Sequence, residues 1–197
     1  MPARVLVLPL LAITFATSDV WAQVDFSRKD AAIQRLEVLA DVPPLTAEPG
    51  KVRAELVSYP VNGGESLIIR IERQGEIAIA HYWPIHFRWM DGFRDMNLQR
   101  PAAPARMMTL STRQFDSLLS EANGLVIAPP VRPAPNAKQP PCIDGSVVRV
   151  RLAEENGIRV AYPYRCDLRR TGRFVDRMRL AVGRMSPAAF SDQYGPQ

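Results

Sequence analysis

The chain of 197 residues is short of several residue types, and each shortage excludes something. It holds two cysteines, Cys142 and Cys166, and two histidines, His81 and His86. A structural zinc site needs about four ligands of these kinds. These four are scattered, so no metal site and no cofactor is predicted. The histidines stand five apart in "HYWPIHFRWM". On a strand that odd spacing sends them to opposite faces. On a helix it leaves them roughly 140° apart. His81 therefore reads as a satisfied core or sheet-edge histidine. Met90, Met96, Met107 and Met108 near His86 raise a soft-metal carrier as an alternative, but their spacing is irregular and methionine commonly fills core gaps.

Glycine-rich phosphate loops are missing, because "NGG" at 62–64 is followed by no lysine and no predicted helix. The G-x-S-x-G elbow of a serine hydrolase is missing too. No residue set nominates itself as catalytic, and a small exported enzyme of hydrolase type remains only as the rival reading. Nothing repeats at a fixed period. Lysine is nearly absent: Lys29, Lys51 and Lys138 are the only three, so arginine carries almost all of the positive charge.

What is present begins with a leader. Arg4 supplies a short positive region, and Val5 to Ala16 is an apolar run too short to span a bilayer. Val20 and Ala22 occupy the minus-three and minus-one positions of a cut after Ala22. Residues 1–22 thus read as a signal peptide. The mature chain is expected to start near Gln23, to be periplasmic or secreted, and to carry no transmembrane segment. Residues 23–197 are expected to form one globular domain, with a proline-rich loop near 128–141. Export implies an oxidising compartment, so Cys142 and Cys166 are expected to form a disulfide.

The pattern along the chain predicts an α+β fold. A mainly antiparallel sheet of five or six strands should pack against two or three helices. After the leader, Ser27 is placed to cap a helix with Ile33, Leu36 and Ala40 on one face. A strand follows near Val52. "SLIIRIER" and "IAIAHYW" read as a hairpin. A three-residue loop would set Arg73 opposite Ile77, Ile71 opposite Ile79 and Ile69 opposite His81. "MDGFRD" reads as a turn and "RMMTL" as a short strand. Ser111 and Gln114 form a capping box for a helix expected to stop at Asn123-Gly124. Val148, Val150 and Leu152, and then Ile158, Val160 and Tyr162, face one way in a last hairpin. The tail is predicted helical, with Phe174, Met178, Ala181 and Met185 along one stripe.

Net charge is +5. The last hairpin places Arg149, Arg151, Arg159 and Arg165 on its polar side, and Arg169, Arg170, Arg173, Arg177 and Arg179 follow. Guanidinium groups suit carboxylates and phosphates. The sequence therefore points to a non-catalytic module that binds an anionic envelope component or an acidic partner through this face. Nucleic acid is not expected, because no aromatic side chains interleave with the arginines as a stacking platform requires.

Overall fold

The computed structural model describes residues 30–31, 33–38, 40–60, 64–90, 95–98, 106–130, 146–164 and 166–194. The expectations that fall on Ser27, Cys142, Arg165 and most of the proline-rich stretch lie outside them. The fold is α+β, as the pattern predicts. After α1 (helical at 30–31 and 33–38) come β1 (Lys51–Pro60), β2 (Gly64–Gln74), β3 (Ile77–Met90), β4 (Asp95–Leu98) and β5 (Arg106–Leu110). Then follow α2 (Thr112–Ile127), β6 (Ser146–Glu154), β7 (Gly157–Ala161), a π turn (Leu168–Gly172), α3 (Arg173–Ala181) and α4 (Pro187–Tyr194). The strands form one sheet in the order β4-β3-β2-β1-β6-β7. β5 also pairs with β3, alongside its residues 78–82, while β4 pairs with residues 87–90. Every pairing is antiparallel. No helix among the described residues is long and apolar enough to cross a membrane.

Both faces of this sheet are covered, and that fact explains the largest departure from the expected register. Gln74 pairs with Ile77 across a two-residue turn, Gly75-Glu76. Gly75 has φ +63°, the left-handed geometry that a glycine-first hairpin turn requires. Ile71 consequently opposes Ala80, Ile69 opposes Tyr82, and Arg70 opposes His81. The expected pairing assumed that burial would penalise any slip, which holds only when one face meets solvent. Here Ile69, Ile71, Ala80 and Tyr82 pack under α2 and α3, while Ile68, Trp83 and Ile85 pack under α1.

The larger core joins Leu56, Ile69, Ile71, Val150 and Leu152 of the sheet to Phe115, Leu118 and Leu125 of α2 and to Phe174 and Met178 of α3. The capping box at Ser111 and Gln114 is formed as expected. The helix does not stop at Asn123-Gly124, however, but runs on to Ile127. Gly124 stays helical there because Leu125, one residue later, is buried in the core. In the tail, Phe174 and Met178 are buried as predicted. α3 ends before Met185, where Gly183 takes φ +67°. α4 and β4 are additions that the sequence pattern did not suggest. β4 begins at Asp95, the last residue of "MDGFRD", for which the pattern predicts a turn.

The smaller core lies on the other face. Ile33 and Leu36 of α1, with Val42, meet Val57, Ile68, Trp83 and Ile85. Asp41, at φ +52°, turns the chain after α1, and the Val42 N–H returns to the Glu37 carbonyl at 2.9 Å. That closure fixes the end of α1, and with it the position of Glu37 over the sheet.

Candidate functional site

Polar residues at alternate positions of adjacent strands share a face. Glu55 of β1 lies between Arg70 of β2 and Arg151 of β6 in register. Arg70 in turn neighbours His81 of β3, and Arg151 neighbours Val160 of β7. A row therefore crosses the sheet beneath α1: His81, Arg70, Glu55, Arg151, Val160. Arg149 stands one row along, opposite Val57.

The charges in this row are matched. Glu55 is fully buried. One of its oxygens accepts from Arg70 Nε at 3.1 Å and Nη2 at 2.7 Å. The other accepts from Arg151 Nε at 2.8 Å and Nη2 at 2.5 Å. Glu37, reaching down from α1, accepts from both Arg149 and Arg151. Asp30, at the other end of α1, accepts from Arg149 Nη1 at 2.9 Å and from the Tyr162 hydroxyl at 2.5 Å. Three carboxylates thus meet three guanidiniums, and two of the carboxylates belong to α1. The helix is held to the sheet by charge as well as by Ile33 and Leu36.

His81 has the satisfied environment expected of it. Its ring is partly exposed, with Nε2 at 3.0 Å from Glu72 Oε1, and it stacks on Trp83 at 5.7 Å. The second oxygen of Glu72 meets Arg53 at 3.3 Å. The side chain of His86 lies outside the described residues. Among the described residues no group of three or more histidine, cysteine, aspartate or glutamate side chains is placed to hold a metal ion.

The arginine face is rearranged relative to expectation. Arg149 is 1% exposed and paired with α1, so it is a core residue. Arg151 is mostly covered. Leu152 pairs with Arg159, which puts Arg159 on the opposite face from Arg149 and Arg151. The cause is the two-residue turn at Glu155-Asn156, shorter than the "AEENG" turn the sequence suggested. Arg159 donates to Asn123 Oδ1 at 3.0 Å and to Glu154 Oε2 at 2.7 Å. Cys166 is not a free thiol. Its expected partner, Cys142, lies outside the described residues.

Beside the ionic row is an open depression of about 400 Å³. It is lined by Asp30 and Gln34 of α1, by Arg149 and Arg151 of β6, and by Ile158, Val160 and Tyr162 in and just after β7. β7 is the last strand of the sheet, and among the described residues no strand pairs with its outer side. Comparison with family models, with curated proteins and with solved structures finds no match for this chain. Its chemistry has to be read from the site itself. Sequence reasoning missed Asp30, Glu37, Glu55, Arg70 and Tyr162. The one available signal was Glu55, a lone carboxylate inside the run "RAELV".

The carboxylates titrate in opposite directions. Burial pushes Glu55 up, but Arg151, Arg70 and Arg149 together hold it below its ordinary value. Asp30 is likewise lowered, its burial outweighed by Tyr162 and Arg149. Glu37 is raised above its ordinary 4.5, because burial and the charge of Glu55 outweigh Arg149 and Arg151. A carboxylate that binds its proton more tightly when folded adds stability below 4.5, and that contribution is lost as pH rises through its folded value. Asp30 and Glu55 contribute stability at neutral pH that is lost as pH falls below the usual carboxylate range. Denaturant midpoints across pH should show both limbs, and Glu37→Gln should flatten only the upper one. An unchanged upper limb in that variant would contradict the raised value of Glu37.

Proposed function

We propose that this chain is an exported, non-catalytic binding module whose recognition surface is the β7 edge with the adjoining depression. One observation carries the reading. Ile158 and Val160 stand two residues apart on an edge strand, 41% and 48% exposed, and border the depression with Arg151, Asp30, Gln34 and Tyr162. Exposed apolar side chains beside a few convergent polar groups are typical of recognition surfaces. The charged row beneath is internally neutralised, so its role is to fix α1 where it lines the site. The partner class we propose is an acidic component of the compartment into which the chain is exported.

The test is site-specific photo-crosslinking in cells that produce the protein. A crosslinking residue at Val160 should give a discrete adduct. The same residue at Ile77, exposed at the far turn of the β2–β3 hairpin, should not. Equal labelling at both sites, or none at Val160, would end the proposal.

Export and the disulfide belong to the same reading. We propose cleavage after Ala22 and a Cys142–Cys166 bridge. Closing a loop of about 24 residues stabilises by roughly 3 kcal/mol in the chain-entropy model. Cys142→Ser is expected to lose about that much in denaturant unfolding. Thiol titration of the denatured, unreduced protein should find no free thiol, and two titratable thiols would refute the bridge.

A further inference from the structure

The two sides of the β7 edge differ in chemistry. On the α1 side stand Ile158 and Val160. On the α2 side stands Arg159, whose guanidinium reaches Asn123 of α2. Arg170 of the π turn reaches the next α2 residue, donating to the Gly124 carbonyl at 3.0 Å. Arg159 and Arg170 therefore converge on adjacent residues near the end of α2. Their neighbours in the chain, Arg169 and Arg173, are exposed as well. The carboxylate nearest Arg159 is Glu154, in a pair whose side chains are both 42% exposed. Such a surface pair is worth little, so a partner carboxylate can take its place at small cost.

An edge strand offers unpaired main-chain groups that an extended chain can complete as a further strand. Side chains of that added strand would alternate between the two faces. We propose that the occupant of this site is an extended polypeptide segment of alternating acidic and apolar residues, added to β7 as a further strand. Its apolar side chains lie against Ile158 and Val160 at the depression, and its carboxylates lie toward Arg159 and Arg170. This rests on the reading of β7 as the recognition surface, and it names what binds there.

The experiment is a titration of the mature chain with three end-capped heptapeptides, followed by fluorescence anisotropy. One alternates glutamate and valine. The second has the same composition with glutamates and valines in blocks. The third alternates lysine and valine. The first should bind at least tenfold more tightly than either of the others, and its affinity should fall as ionic strength rises. Arg159→Glu and Ile158→Lys should each weaken it tenfold or more, and Arg159→Gln should weaken it less. All three substitutions are at exposed positions, so circular dichroism should be unchanged. Equal affinity for the alternating and block glutamate peptides would reduce the effect to diffuse charge attraction and overturn strand addition. Equal affinity for the lysine peptide would overturn the role of the arginines. Failure of the first peptide to bind would overturn this proposal alone if Val160 still crosslinks to a partner. If Val160 gives no adduct either, the recognition surface itself is wrong.

Discussion

Arg149→Met is expected to destabilise the protein by about 3–5 kcal/mol, the range for removing one partner from a buried ionic group. Arg149 touches three carboxylates on two elements: Asp30 and Glu37 of α1 and Glu55 of β1. Methionine fills a similar volume, so packing changes little. What changes is that, among the described residues, Glu37 is left with Arg151 and Glu55 with Arg70 and Arg151, and the charge of this cluster becomes negative. Glu37 already lies above its ordinary value because it is buried and faces the charge of Glu55. Without Arg149 that repulsion has less to oppose it, so Glu37 should rise further, and the variant should recover part of its loss in mild acid. Arg159→Ala is the control. Its partners are exposed, and the expected change is within about 0.5 kcal/mol. Urea unfolding of both variants at neutral and mildly acidic pH gives the comparison. A loss below about 1 kcal/mol for Arg149→Met would mean that the row is solvated and that α1 is held by Ile33 and Leu36 alone.

The same residues show what the sequence could and could not convey. "SVVRVRL" alternates cleanly, so β6 and the side of each of its residues were legible. That Arg149 would be buried was not, because alternation reports only which residues share a face. Whether the polar face meets water depends on α1, some 110 residues earlier in the chain, and α1 brings the two carboxylates that make burial tolerable. The β2–β3 hairpin was legible as a hairpin, but its register slipped by one. Alternation selects a register only where one face must be dry and the other wet, and here Ile69 and Ile68 are both fully buried on opposite faces. The β6–β7 turn raised the same difficulty. "AEENG" admits more than one turn length, and the shorter one moved Arg159 away from Arg149. The α2 capping box, by contrast, was legible because its geometry is local: Ser111 and Gln114 need nothing beyond their own four residues.

α2 is also the element on which Arg159 and Arg170 converge, so its anchoring decides how well that surface is held. Phe115 is its anchor. It is fully buried, and the guanidinium of Arg73 lies 4.9 Å from its ring centroid. Arg73 also pairs with Asp116 at 2.6 Å. The buried ring fixes the first turn of α2 against the sheet, with the Arg73–Asp116 pair lying over it. Phe115→Ala should remove the ring's transfer free energy and leave a cavity in the larger core, whose other side chains are held in place by the sheet and the helices. Such changes typically cost about 3–5 kcal/mol. The cation–π contact adds to this only modestly at a partly exposed arginine. Phe115→Leu keeps most of the volume and should cost much less, about 1.5 kcal/mol or under. The exposed ion pair contributes little by itself, so Asp116→Asn should be nearly silent. Urea unfolding across the three variants should therefore rank them by lost volume rather than by lost charge. If Asp116→Asn proved as damaging as Phe115→Ala, the first turn of α2 would be held by its ion pair, and the apolar core would not be what fixes this helix.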